Sequence, residues 1–136
     1  MHVYDVRLHS YLGYTNEVTA GILPAQAKLL ALLPERVEDA LALECGKTKH
    51  RPGAPVTLEI TTLPDMLKAV TLAVRIELLK DGKAIEAYTK KLAVKGAASY
   101  YIPLALNQAK GEYTVRMTEI ISGQRQELRI AVIRLR

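Results

Sequence analysis

Apolar residues recur at every second position through much of this chain, and this spacing restricts its fold more than any other feature. The alternation is clear from Val56 to Ile60 and from Val70 to Leu78, and it returns from Leu128 to Val132. Successive side chains of a strand point to opposite faces, so a period of two indicates strands with one buried and one exposed face. The sequence therefore predicts an all-β protein built from antiparallel strands.

Two turns that contain glycine separate the predicted strands. Asp81–Gly82 favours positive φ at a two-residue turn, which matches the twist of a β-hairpin. The strand that returns from this turn is expected to cover about Ala84 to Leu92. Ser122–Gly123 predicts a second hairpin turn near the C-terminus. We expect these turn residues to set the strand register.

The segment Leu106–Val115 is typical of a turn that ends in Gly111 and enters a strand whose first inward residue is Tyr113. From Pro55 to Arg136 the pattern resembles immunoglobulin-like or fibronectin type III-like β-sandwich modules of bacterial multidomain proteins. In such sandwiches a Tyr at this corner bonds its hydroxyl to the upstream backbone and fixes the crossover between the two sheets. The resemblance implies a fold but no particular function, because such sandwiches host many roles.

The first 45 residues are expected to form an N-terminal β segment, 1–45, that packs on or precedes the sandwich. A connector at 46–54 then leads into the sandwich at 55–136. Short strands are predicted at Val3–Leu8, Glu17–Ile22 and Lys28–Leu33. The stretch Ala25–Leu33 also suits a helix because Ala, Gln, Lys and Leu are good helix formers, but Pro34 follows at once and favours a strand. Val37–Cys45 or Pro64–Ala69 is expected to supply a seventh strand of the sandwich.

A second resemblance lies in Tyr4–Arg7, in Tyr11–Thr15 and in the run from Leu23 to Pro34 that ends Ala-Leu-Leu-Pro. These segments are similar to the closing strands of small β domains that follow the catalytic barrel in β-galactosidase-like bacterial glycoside hydrolases. The chain departs from that pattern at His9–Ser10, where the family usually has a Gly-Lys turn. The resemblance implies the C-terminal part of a larger extracellular or periplasmic protein, with the catalytic barrel elsewhere, so it carries over no catalytic residue.

Residues capable of catalysis are scattered along the sequence. A glycosidase needs two carboxyl groups flanking the scissile bond, but Glu38 and Asp39 would point to opposite faces of a strand. No serine lies in a Gly-x-Ser-x-Gly turn. Cys45 and His50 have no second pair of ligands, although a zinc site needs three or four. We therefore expect no enzyme activity, no metal site and no cofactor.

The chain is basic, with 19 Lys and Arg residues against 14 Asp and Glu residues and a formal net charge of +5. The basic residues occur in nearly every segment, and the dense run Lys47–Arg51 beside Pro52 suits a solvated connector. This distribution predicts no nucleic-acid partner. Membrane insertion is not expected either, because no apolar run approaches the roughly 20 residues that span a bilayer.

These observations favour a non-catalytic accessory, spacer or docking module whose partners are other domains of a larger protein. The alternative is a carbohydrate-binding module in which exposed Tyr88 and Tyr101 bind a polysaccharide beside Lys91. Edge strands would also allow a homodimer, although Lys90 and Lys91 suit an edge because lysine discourages strand addition.

Overall fold

The computed structural model describes residues 1–19, 21, 24 and 26–133 of the chain. Almost all of its regular structure is β-strand, with two short 3₁₀ turns at Asp65–Leu67 and Glu86–Tyr88. None of the helical segments in these residues has the length and apolar content needed to cross a membrane. The strands of the described residues are β1 (His2–Asp5), β2 (Ser10–Tyr14), β3 (Leu30–Leu33), β4 (Leu41–Cys45), β5 (Lys49–His50), β6 (Pro55–Thr62), β7 (Thr71–Lys80), β8 (Lys83–Ala84), β9 (Lys90–Lys95), β10 (Ala97–Pro103), β11 (Gly111–Glu119) and β12 (Arg125–Val132).

The main sheet has the strand order β4-β6-β10-β9-β7-β11-β12-β5, with β8 paired to β7. Strands β9 and β10 share a single pair, Lys95 with Ala97, so the sheet turns over at this point into two layers. The short layer is β4-β6-β10, and the long layer is β9-β7-β11-β12-β5. Apart from the parallel pair β5–β12, neighbouring strands are antiparallel, and the prediction of an all-β antiparallel fold is confirmed.

The two layers enclose one aliphatic core. Leu58 and Ile102 of the short layer belong to the same buried cluster as Ile76 and Val115 of the long layer. None of these four side chains has exposed surface, and each is at an inward-facing position of its strand. Burying one such side chain contributes about 1.5–3 kcal/mol. The period of two in the sequence therefore supplies the apolar side chains whose burial stabilises the fold.

Gln126 joins the layers on the side opposite the β9–β10 turn. Its side-chain carbonyl accepts a hydrogen bond from the Leu43 amide at 3.1 Å, and its amide group donates to the Leu41 carbonyl. Both of these backbone groups belong to β4, whereas Gln126 lies on β12. The Gln126 side chain thus joins β4 to β12 in place of a strand pairing between them.

The N-terminal residues form a separate three-stranded sheet of order β2-β1-β3, which packs on the main sheet. Tyr4 and Leu33 of this sheet belong to the buried cluster of the core. The prediction of a strand rather than a helix holds for Leu30–Leu33, whereas Ala25 lies outside the described residues. Of the strand predicted at Glu17–Ile22, residues 17–19 are not in a strand, and Ile22 lies outside the described residues.

The main sheet begins earlier than the predicted boundary at Pro55. Strand β4 lies within the predicted N-terminal segment 1–45 but pairs with β6, so the additional sandwich strand comes from Val37–Cys45. The reason is that Leu41 and Leu43 alternate inward and are buried in the core. The alternative, Pro64–Ala69, contains a 3₁₀ turn, and the predicted connector 46–54 contains β5. The predicted strand Ala84–Leu92 is also divided, because the 3₁₀ turn Glu86–Tyr88 separates β8 from β9.

Candidate functional site

Tyr113 holds the corner that precedes β11. Its hydroxyl donates a hydrogen bond to the Ala109 carbonyl at 2.6 Å and accepts one from the Gln108 side-chain amide at 2.9 Å. The carbonyl oxygen of the same Gln108 side chain accepts a hydrogen bond from the Tyr88 hydroxyl at 2.6 Å, and Tyr88 accepts one from the Ala105 amide. The phenol of Tyr113 is buried, and its polar atom is fully engaged in fixing this corner.

Gly111 leaves room for a lysine at the same corner. The Lys80 ammonium lies 4.6 Å from the centre of the Tyr113 ring and donates to the Lys110 carbonyl. A Cβ atom on Gly111 would stand 2.6 Å from the Lys80 Nζ, and the φ of Gly111 is +138°. The backbone conformation therefore favours glycine, whereas the flexible Lys80 side chain could move away from a Cβ atom.

The Asp81–Gly82 turn joins β7 to β8. Both residues have positive φ, +53° and +77°, and Lys80 faces Lys83 across the turn. This is the conformation that a two-residue hairpin with matching strand twist requires.

The loop between β11 and β12 is organised by a buried carboxylate. Glu119 accepts hydrogen bonds from the Ile121 amide, the Ser122 amide and the Ser122 hydroxyl, at 2.6–2.7 Å. Gly123 has a φ of +73°, and a Cβ there would lie 2.9 Å from the His9 ring. Ser122 and Gly123 thus shape this loop and bring it against the N-terminal segment.

The structure gives Tyr88, Tyr101 and Lys91 three different settings. Tyr88 is half-buried and bonded within the Tyr113 corner, so its hydroxyl has structural partners. Lys91 lies on β9 opposite Arg75, and no strand pairing brings it to β10. Tyr101 lies on the outer face of β10 with 58% of its surface exposed, directly opposite Thr57 of β6. Of the three, only Tyr101 presents an aromatic surface to a ligand.

A concavity lies at the end of the molecule where β4, β5 and β6 meet. It has a volume of about 630 Å³, and we call it the basic cleft. Its described lining residues include four that are cationic or can become so, and none carries a carboxylate. They are Gly46, Lys47, Lys49, His50, Arg51, Ala54, Pro55 and Thr57.

The cleft is held in place by the last strand. Strand β5 runs parallel to β12, with the Ala131 amide donating to the Thr48 carbonyl at 2.7 Å and the Ile133 amide donating to the His50 carbonyl at 2.8 Å. The Lys47, Lys49 and Arg51 side chains, within and on either side of β5, all line the cleft. All three are exposed.

A thiol and an imidazole lie at the inner side of the cleft. The Cys45 thiol donates to the Lys47 carbonyl at 3.0 Å, and the Nε2–H of His50 donates to the same oxygen at 2.9 Å. The Cys45 Sγ and the His50 Nε2 are 3.9 Å apart. Both side chains thereby fix the backbone at Lys47. In the part of the chain that the structure describes, no three His, Cys, Asp or Glu side chains are grouped closely enough to hold a metal ion.

A smaller hollow of about 160 Å³ lies beside the cleft and shares Lys49 with it. Arg129 adds a second cation to its lining, and Glu112 adds an anion. The positive charge of this end of the molecule is therefore concentrated in the basic cleft.

A second cluster of charged and aromatic groups lies at the N-terminal sheet. The Tyr4 hydroxyl donates to the Glu38 carboxylate, which also accepts hydrogen bonds from Arg36. Burial raises the pKa of Glu38, but the bonds from Arg36 and Tyr4 outweigh it and leave this pKa below the usual 4.5. Burial and the bond to Glu38 raise the pKa of Tyr4 above 10.0. The Arg36 guanidinium also covers the Tyr11 ring at 3.8 Å.

Lys47–Arg51 was predicted to be a solvated connector, and the cleft was not predicted. One signal was present, because basic residues are concentrated at 47, 49 and 51. The pairing of this segment with β12 involves residues far apart in sequence, and local patterns do not reveal it.

No protein-family model matches this chain. No curated protein matches it by sequence. Among solved structures, it is similar to the PmoD soluble domain from Methylocystis sp. ATCC 49242 (Rockwell), with a TM-score of 0.44 and 15% identity over 68% of this chain and 90% of that one. It is also similar to a β-glucosidase from Listeria innocua in complex with glucose, with a TM-score of 0.42 and 13% identity over 68% of this chain and 16% of the glucosidase. Both similarities are distant.

Proposed function

We propose that this chain is a non-catalytic accessory module that binds an anionic group of its partner in the basic cleft. The observation that carries the proposal is the convergence of Lys47, Lys49 and Arg51 on one concavity whose described lining holds no carboxylate. A recess lined by one sign of charge focuses its field and favours ligands of the opposite sign. The formal net charge of +5 adds to this attraction.

The side chains that could act in catalysis are engaged in structural contacts, and this supports a binding role rather than catalysis. Glu119 organises the β11–β12 loop, and Glu38 is paired with Arg36 and Tyr4. His50, at the cleft itself, is bonded to the Lys47 carbonyl. These groups have the contacts of structural residues, whereas Lys47, Lys49 and Arg51 of the cleft are exposed to solvent.

The strand arrangement supports a module of the immunoglobulin-like type. A short layer of three strands faces a long layer, and a Tyr hydroxyl bonded to upstream backbone lies at the entry to β11. These are features of such sandwiches, which commonly serve as parts of larger proteins. We propose that the partner is a neighbouring domain or a polymer held beside one, such as the substrate of an associated glycoside hydrolase.

The test is a pair of charge-reversed variants with the same net charge. Lys47→Glu/Arg51→Glu alters the cleft, and Lys90→Glu/Lys91→Glu alters exposed lysines of β9 by the same amount. Binding of polygalacturonate and of polyglutamate is measured by titration calorimetry at low salt, where surface electrostatics is least screened. We expect the cleft variant to lose binding of whichever polyanion the wild type holds, and the β9 variant to retain it.

Equal losses in the two variants would show that only net charge matters, and the cleft would then have no special role. Absence of binding to every polyanion at low salt would also overturn the proposal. Thermal unfolding of each variant confirms that it is folded.

A further inference from the structure

The exposed aromatic ring of Tyr101 lies next to Thr57, a residue that lines the basic cleft. Tyr101 of β10 is paired with Thr57 of β6, and Thr57 lines the cleft. Directly opposed side chains of an antiparallel pair share one face, with Cβ atoms about 4.5–5.5 Å apart. An apolar platform and a group of cations thus lie side by side.

We propose that the anion is carried by an acidic polysaccharide in which charged and neutral sugars alternate. The neutral sugar stacks on Tyr101, and the carboxylate or sulfate of the adjacent sugar enters the cleft between Lys47, Lys49 and Arg51. This inference rests on the proposed function and specifies the ligand of the same cleft. A strand spacing of about 4.8 Å separates Tyr101 from Thr57, comparable with the length of one pyranose unit.

Two carboxylates on the outer face of β6 and β4 lie next to this path and favour a neutral sugar at Tyr101. Glu59 lies on the same outer face and pairs with Ser99, whose hydroxyl donates to it at 2.6 Å. Glu44 is directly opposite Glu59 on β4. A ligand with a negative charge on every unit would be repelled there, whereas hydroxyl groups of a neutral sugar can donate hydrogen bonds to Glu59.

The same arrangement disfavours single-stranded nucleic acid. Such strands are bound by several aromatic platforms in succession along a basic groove. Tyr100 is on the opposite phase of β10 and packs against the core, so Tyr101 is a single platform. Glu59 is diagonal to Tyr101 on β6, Glu44 lies opposite Glu59 on β4, and both would repel the phosphate that follows each base.

The experiment measures binding of hyaluronan oligosaccharides, in which glucuronate alternates with a neutral sugar, to the full chain by titration calorimetry. Polygalacturonate, polyglutamate, poly-dT and a neutral β-glucan oligosaccharide are the comparison ligands. We expect hyaluronan to bind more tightly than any of these. Tyr101→Ala should weaken hyaluronan binding about tenfold, as expected for loss of one stacking contact. Tyr14→Ala is the matched control, because Tyr14 is 73% exposed on the N-terminal sheet.

Glu59→Gln gives an independent readout. Removing this negative charge should increase affinity for polygalacturonate more than for hyaluronan. If Tyr101→Ala leaves hyaluronan binding unchanged while Lys47→Glu/Arg51→Glu abolishes it, the cleft still binds an anion, and the assignment of a stacked sugar is overturned. Tighter binding of polyglutamate or poly-dT would instead identify an acidic polypeptide or nucleic acid. Loss of all anion binding would remove the proposed function itself.

Discussion

The hydroxyl groups of Tyr88 and Tyr113 are joined by the side chain of Gln108, which accepts from the first and donates to the second. Tyr88 lies in the 3₁₀ turn before β9, and Tyr113 lies near the start of β11. Gln108 therefore connects the 3₁₀ turn before β9 to the corner between the two layers. Hydrogen-bonded chains of this kind stabilise a single arrangement when all their members are satisfied.

Replacement of Tyr113 by Phe should destabilise the protein by about 1–2 kcal/mol, the scale of a lost buried hydrogen bond. The change removes the donor to the Ala109 carbonyl and the acceptor for Gln108 while keeping the ring. Urea denaturation followed by circular dichroism measures the effect. Tyr14→Phe is the control, since that side chain is largely exposed and should leave the midpoint unchanged. An unaltered midpoint in Tyr113→Phe would contradict the role given to the corner.

Replacement of Gln126 by Met should cost roughly 1–3 kcal/mol or more, because it leaves the Leu43 amide and the Leu41 carbonyl without their side-chain partner. Methionine keeps the length and flexibility of the side chain, so packing changes little. Thermal and urea unfolding measure the loss. Arg125→Met on the same strand serves for comparison, since Arg125 is exposed. Equal stability of the two variants would show that the β4–β12 side is held by packing alone.

The Tyr4–Glu38 pair should give the stability a dependence on pH at both ends of the range. The folded pKa of Glu38 is lowered, so its contribution is complete above the usual value of 4.5 and is lost as the pH falls through the folded pKa. The folded pKa of Tyr4 is raised, so its contribution is complete below pH 10.0 and is lost as the pH rises through the folded pKa. Urea midpoints measured across the pH range report both losses.

Two variants separate these effects. Glu38→Gln should be less stable than the wild type near neutral pH, and the difference should shrink on acidification below about pH 4.5. Tyr4→Phe should remove the alkaline loss that begins near pH 10.0. A constant difference between Glu38→Gln and wild type at every pH would exclude the ionised carboxylate as the source of the stability.

Local patterns in the sequence predicted much of the fold, because strands and tight turns depend on residues close together in the chain. The alternation from Val70 to Leu78 lies within β7, and Asp81–Gly82 adopts positive φ as such a dipeptide favours. The place of β4 was harder to predict. Its inward residues Leu41 and Leu43 gave the right period, but the pairing with β6 depends on contacts that only the folded chain reveals.

The candidate site was predicted less well for the same reason. Tyr101 was identified as an exposed platform, and its exposure is a direct result of strand alternation. The neighbours of Tyr101 were not predicted, because they result from the pairing of β10 with β6 and of β5 with β12. Tyr88 has the same side chain as Tyr101, yet the corner formed by Gln108 and Tyr113 takes up its hydroxyl. Sequence alone does not distinguish these two settings.

The cleft depends on the pairing of its strand β5 with β12. Its basic segment is anchored by the Ala131 and Ile133 amides, so fraying of β12 would release Lys49 and His50 together. An anion bound in the cleft therefore favours the paired state of β5 and β12, so binding opposes local unfolding. Hydrogen exchange at the Ala131 and Ile133 amides should therefore slow when a ligand is bound. These amides would report ligand binding although they lie on or just after β12, outside the cleft.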